Sequence, residues 1–283
     1  MVYVCADDAG MSAESCKRIE KCVRHGALNK VSVFPNTEME DIKDYIPQGN
    51  ITLGIHINLV EGRPVSAPDE VWMLVDDRGY FKYSFEGLFF LSVSPERREF
   101  ERQISLEIKR QLQRWKIIFG DHAAALDSHQ HTHMIPVIFR ALMRIIREEN
   151  TDVNYIRFPV EPMMPYLCTP SLYFTYKPIN LVKQWVLNFL GLINRCELKK
   201  SEIGTALFMG ILFSGKMDEK RVRRVLPHYF KLAAKQNKDI ELLFHPGYAE
   251  KGETVMDSNK KSFNKFYYSK GRRMEFAALR RLK

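Results

Sequence analysis

The sequence predicts an α/β fold of parallel strands, a sheet or barrel with its site at the carboxyl ends of the strands, and three observations predict it. Short apolar runs alternate with amphipathic helical stretches, the mark of repeated βα units. Seven such runs occur, and the histidine and paired-carboxylate clusters stand at or near their carboxyl ends. No repeat, low-complexity tract or Pro/Gly/Ser linker divides the 283 residues, which are read as one domain, 1–283, with a basic tail at 251–283.

The first strand is VYVCA (2–6), followed by Asp7-Asp8 and by a helix over about 12–26. KVSVF (30–34) comes next, with a helix at 38–46. In ITLGIHINL (51–59), Leu53, Ile55, Ile57 and Leu59 share one face of an extended chain, and His56 and Asn58 share the other. Residues 61–93 have weak periodicity and mix prolines with aromatics, among them Trp72, Tyr80, Phe81 and Phe90. They read as a long excursion above the sheet. Ser94-Pro95 signals a helix over 95–119, since serine can cap and proline suits the first turn. AALDSH (124–129) and NYIRFPV (154–160) are the next strands, separated by a helix at 136–150. KPINLVKQWVLNFLGLINR is helical in pattern over 180–197 and is read as a buried helix rather than a membrane-surface one. ALFMGILF (206–213), a helix over 218–237 capped by Asp218, and IELLFHP (240–246) complete the order.

Composition narrows the class. With 45% hydrophobic residues the chain can bury a substantial core, and no apolar run approaches the roughly 18 residues that span a bilayer. The start, MVYVCADDAGM, enters a strand without a basic region or cleavage site, so a soluble, cytoplasmic protein without a transmembrane segment is expected. Cys5, Cys16, Cys22, Cys168 and Cys196 show no C-x-x-C spacing and are read as reduced packing residues. The net charge is +9, but residues 251–283 hold ten Lys and Arg against three Asp and Glu, a local balance of +7. That end is read as solvated or loosely packed, and no nucleic-acid partner is expected.

The chemistry concentrates in D-S-H-Q-H-T-H. Residues two apart lie on one side of an extended chain, so Asp127, His129, His131 and His133 are expected to face one site if the strand continues that far. Imidazoles and carboxylates ligate borderline divalent cations, and a catalytic metal takes three protein ligands and keeps an open position. Asp7 and Asp8 point differently, so that one can bind a metal while its neighbour faces substrate as a base. His245, before Pro246-Gly247, is a candidate general acid, and Arg157 a candidate for orienting a carboxylate or binding substrate. Histidines that do not bind metal, and Asn58 beside them, are assigned to substrate binding or to orienting a ligand.

ADDAGMS near the start, LGIHINLVEGRPVS at 53–66, LDSHQHTHMIP at 126–136 and FHPGY near the end occur in an order that resembles the YdjC-like carbohydrate deacetylase family. The resemblance implies a deformed (β/α) barrel, TIM-barrel-like, and hydrolysis of an N-acetyl group on an amino sugar or oligosaccharide. It further implies Asp8, His56 and His129 as ligands of one divalent ion, Mg2+ or Zn2+, with Asp7 as base and His245 as acid. Ligand softness alone favours zinc, cobalt or nickel. Two other classes fit the residues: a metal-dependent phosphoesterase or other amidohydrolase, and a glycan-binding protein with a structural metal. Nothing in the residues sets the assembly, for which a homodimer is the working expectation.

Overall fold

Seven strands alternate with helices in a computed structural model that describes residues 1–46, 51–120, 123–256 and 265–282. The strands are β1 (Val2–Ala9), β2 (Lys30–Val33), β3 (Thr52–Ile57), β4 (Ala123–Ser128), β5 (Val153–Ile156), β6 (Leu207–Met209) and β7 (Ile240–Phe244). They form one parallel sheet in the order β5-β4-β3-β2-β1-β7-β6. The sheet curls into a deformed TIM-like barrel. Its two edges are drawn together by a bridge between Tyr155 of β5 and Gly204, just ahead of β6. Curling also shows in contacts between strands that are not neighbours: Tyr155 and Arg157, at the β5 edge, reach Glu241 on β7.

Period-two alternation decides what each face does. Val4 and Ala6, Val31 and Val33, Ile55 and Ile57, Leu126, Ile156, Leu242 and Phe244 face the helices and form the main core. Burying such a side chain stabilises the fold by about 1.5–3 kcal/mol. The alternate positions, Cys5, Asp7, Lys30, Ser32, His56, Asp127 and Glu241, are equally buried but polar, and they satisfy one another inside the barrel. The face assignment within β3 follows the alternation predicted for 51–59.

Several elements differ from the sequence reading in extent. β5 and β6 are shorter than 154–160 and 206–213, because Arg157 and Gly210 already serve as loop anchors beyond the strand ends. The excursion at 61–93 contains a helix, α3 (Phe85–Leu91), after α1 (Ala13–His25) and the short α2 (Ile42–Tyr45). α4 (Arg97–Phe119) starts two residues after Ser94-Pro95, with Glu96 rather than Ser94 at its N-cap. α4 also fastens the excursion. Gln103, Glu107 and Gln111 lie on its buried stripe and accept hydrogen bonds from the backbone N–H groups of Met73, of Val65 and Ser66, and of Asn58.

α5 (Pro136–Glu148), the short α6 (Met164–Leu167), α7 (Pro178–Lys199) and α8 (Glu219–Gln236) follow, and Asp218 caps α8 through the N–H of Arg221. α7 is not a buried helix: one long face is open and apolar. The basic end is not loosely packed where it is described. α9 (Lys270–Leu279) packs on α1 and β7, with Arg272, Glu275, Ala278 and Leu279 buried. Residues 257–264 and 283 of the basic segment lie outside the described residues.

Candidate metal centre

The carboxyl ends of β1, β3 and β4 deliver the site, with β2 lying between β1 and β3. β1 carries a bulge between Ala6 and Ala9, and Asp8 within it adopts a left-handed backbone, φ 66°. A strand without the bulge would send Asp7 and Asp8 to opposite faces. Here both carboxylates sit with the His56 imidazole, whose Nε2 is 3.3 Å from Asp8 Oδ1 and 3.9 Å from Asp7 Oδ2. His129 follows the end of β4, and its Nδ1 lies 2.9 Å from the same Oδ1.

Asp8, His56 and His129 form a buried group able to hold a metal ion, each offering one ligand atom, all within 4.8 Å of one another. The donor chemistry fits a divalent cation. Asp8 Oδ1 and His56 Nε2 are buried atoms without a well-formed hydrogen bond among the described residues, the condition a bound cation would relieve. The far nitrogen of each imidazole is held by a carboxylate: His56 Nδ1 by Asp127 Oδ1, and His129 Nε2 by Glu61 Oε1 at 3.3 Å. Such partners select the tautomer that leaves the near nitrogen free to ligate. Phe34 packs against both rings, at 5.0 and 5.2 Å between centroids.

The electrostatics follow from burial working against close counter-charges. Burial opposes a charge on Asp8, but Arg272 and His129 outweigh it and hold the carboxyl well below the usual range. Burial likewise disfavours charged imidazoles, yet Asp7 and Asp127 push His56 up to about 9, and Asp8 and Glu61 push His129 up to about 10. Beneath this group, Cys5, Asp127 and Glu241 also stand close together. Lys30 and Arg157 already neutralise them, Lys30 at 2.9 Å from Glu241 and Arg157 at 3.0 Å from Asp127, so this cluster is a buried ion network.

The other candidate residues are placed as follows. Asp7 lies beside the group, gripped by the Arg157 guanidinium. Arg157 does not face outward for substrate; it is fully buried among Asp7, Asp127 and Glu241. His245 follows directly on β7, whose last residue, Phe244, pairs with Ala6 just ahead of Asp7, and its Nδ1 lies 3.5 Å from Glu275. Asn58 organises the chain after β3. Its Oδ1 accepts from the N–H groups of Val60 and Glu61, which sets Glu61 beside His129.

The expectation that His129, His131 and His133 face one side is corrected. β4 ends at Ser128, and 129–134 form a 3-10 segment kinked at Gln130 and His131, both with positive φ. Only His129 reaches the metal group. His131 packs edge-on against Phe208, and burial holds its imidazole well below the usual value. His133 is clamped between Ser128 Oγ and the Arg157 carbonyl, and burial brings it down to about 4.

Sequence reasoning missed Glu61, Arg272 and Glu275. Glu61 lies inside the LGIHINLVEGRPVS segment and was legible there as a carboxylate close behind His56. Arg272 carries no local signal, being one of many basic residues near the end of the chain. It donates to Asp8 Oδ2 and to the Gly247 carbonyl. Glu275 accepts from the His245 backbone N–H.

Comparison with known proteins matches the family described as YdjC-like protein over residues 1–282. A carbohydrate deacetylase of Thermoanaerobacter pseudethanolicus is 27% identical over 197 residues, 67% of this chain and 75% of that protein. A Mus musculus carbohydrate deacetylase is 28% identical over 258 residues, 87% of this chain and 78% of that one. A chitooligosaccharide deacetylase of Escherichia fergusonii is 27% identical over 159 residues, 56% of this chain and 60% of its own. Among solved structures, an Enterococcus faecalis protein described as a cellobiose-phosphate cleavage protein superposes with a TM-score of 0.66 at 15% identity. It covers 99% of this chain and 90% of its own, which shows the fold.

Proposed function

This chain belongs to the YdjC-like protein family, and on that premise we propose that it is a metal-dependent carbohydrate deacetylase, releasing acetate from an N-acetylated amino sugar or oligosaccharide. The observation that carries the reading is the pair of carboxylate-backed imidazoles, His56 on Asp127 and His129 on Glu61, converging on one oxygen of Asp8. Asp8, His56 and His129 would hold the ion, which supplies Lewis-acid activation when bound.

The chain's own residues do the proton work. Asp7 is the general base, its oxygens aimed by Arg157 so that it takes a proton from the water that attacks the acetyl carbonyl. His245, the first residue beyond the adjacent strand β7 and backed by Glu275, gives a proton to the departing sugar nitrogen. Acetate and a free amine result. Asp127 and Glu61 orient the imidazoles, and Arg272 balances the charge of Asp8.

The test is acetate release from a panel of N-acetylated sugars by metal-stripped protein, with and without zinc, magnesium, cobalt or nickel, alongside His129→Ala. Metal-dependent release that His129→Ala abolishes is the expected result and names the substrate class. Metal binding without release from any sugar sinks the reading in favour of a phosphoesterase or a glycan-binding protein.

A further inference from the structure

α7 is built inside out. The face it turns to the protein carries Asn180, Gln184, Asn188 and Asn194, each spent on a backbone partner. Asn180 donates to Leu212 and Ser214, Gln184 and Asn188 donate to Glu161, and Asn194 donates to Met134. Leu187 and Leu190 fill the gaps between them, packing in a small core with Met134, Phe208 and Ile211. The hydrogen-bond partners Met134, Glu161, Leu212 and Ser214 lie in the segments that follow β4, β5 and β6, so α7 is fastened to the carboxyl ends of these strands.

The opposite face is apolar and open. Ile179, Val182, Trp185, Phe189, Leu192 and Ile193 follow helical spacing and are 47–72% exposed. A surface helix ordinarily shows the reverse arrangement. Beside it, α3 packs Phe85 and Phe89 into the same small core and leaves Phe90 69% exposed. The segment leading into α7 leaves Phe174 fully open. An open apolar helix face of this length marks a contact with another body.

The charge pattern says which body. Residues 162–196 contain no Asp or Glu, while Lys177, Lys183 and Arg195 punctuate them, and Lys199 and Lys200 follow. Lys177, Arg195 and Lys199 form no ion pair among the described residues; Glu86 stands close to Lys183, Glu202 lines the same cleft as Arg195 and Lys199, and Glu197 is paired with Arg147 and Lys200. A second copy applied to this face would bring the same cations against it. An anionic lipid surface would accept both the apolar stripe and its basic flank, with Trp185 at the headgroup level. No helix among the described residues is long and apolar enough to cross a membrane, so the contact is one of lying on the surface.

We propose that the outer face of α7, with Phe90 and Phe174 beside it, docks this protein on an anionic membrane surface. The contact is independent of the reaction catalysed.

The experiment is flotation of the full chain with vesicles of phosphatidylcholine alone and of phosphatidylcholine with phosphatidylglycerol, at low and high salt. Wild type is expected to float with the anionic vesicles, less so in salt. Trp185→Glu with Phe189→Glu should lower vesicle partitioning by roughly tenfold or more. Both side chains are exposed, so the melting temperature should not move. Trp185 fluorescence should be quenched by brominated lipid, a signal that Trp185→Phe removes while binding persists. Failure of wild type to float with anionic vesicles overturns the proposal, as does equal binding by the double variant. Light scattering that shows a dimer which the double variant dissolves, without vesicle binding, assigns the face to a second copy instead.

Discussion

Arg157 holds Asp7 by both oxygens, Nη1 donating to Oδ2 at 2.7 Å and Nη2 to Oδ1 at 2.8 Å, with both side chains buried. The two-point contact fixes the plane of the carboxylate, and it holds the proposed base beside His56, with Oδ2 3.9 Å from Nε2. Asp7→Asn should therefore fold and bind metal as the wild type does. Its acetate-release kcat should fall about 100- to 10,000-fold with little change in KM. Unchanged turnover would remove Asp7 from the role.

Glu61 offers a cleaner probe of imidazole orientation than Asp127, because Asp127 also balances Lys30 and Arg157. Glu61→Gln should weaken metal affinity about 10- to 100-fold, read by competition with a chromophoric chelator. Activity should recover at saturating metal. An unaltered affinity would mean that Glu61 does not orient His129.

Metal binding should release protons. With folded-state values near 9 for His56 and 10 for His129, both imidazoles of the metal-free protein are charged at neutral pH. Metal affinity should then rise up to about 100-fold per pH unit between roughly 7 and 9, two protons leaving per ion. Both folded values lie above the unfolded value near 6.5, so the metal-free protein holds this stability fully below that pH and loses it as pH rises through 9 to 10. Calorimetry in buffers of different ionisation enthalpy counts the protons, and a count of zero contradicts the ligand assignment.

His133 should act in the opposite sense. Its folded value near 4 lies below the unfolded one, so the protein loses stability as pH falls through about 6.5 and stops losing it near 4. Between pH 7 and 5 the cost is about 2 kcal/mol. Denaturant melts of wild type and His133→Gln at the two pH values should differ in slope by that amount. Parallel slopes would show that His133 is not held neutral by the fold.

The fold was legible because the strands obey a simple rule: an apolar residue alternates with one facing the barrel interior, as Leu53, Ile55 and Ile57 do around His56. Strand ends were less legible than strand centres. His131 and His133 show why. Their spacing matches an extended chain, but Gln130 and His131 adopt left-handed backbone, and no residue type there announces the kink. α7 misled differently, since an apolar helix reads as buried and the sequence does not say which face the asparagines will occupy. Arg272 was invisible because its partner lies 264 residues away.

That separation bears on how the molecule is made. β1 sits between β2 and β7, so one edge of β1 is unpaired until residues 240–244 are synthesised. On a nascent chain, Asp8, His56 and His129 are all present once residue 129 has left the ribosome. The guanidinium that balances Asp8 arrives later still, with α9. Until then Phe34 and Glu61 already stand against the imidazoles, but the Asp8 carboxylate lacks its guanidinium partner, so the charge balance of the site is completed only when α9 returns to β1.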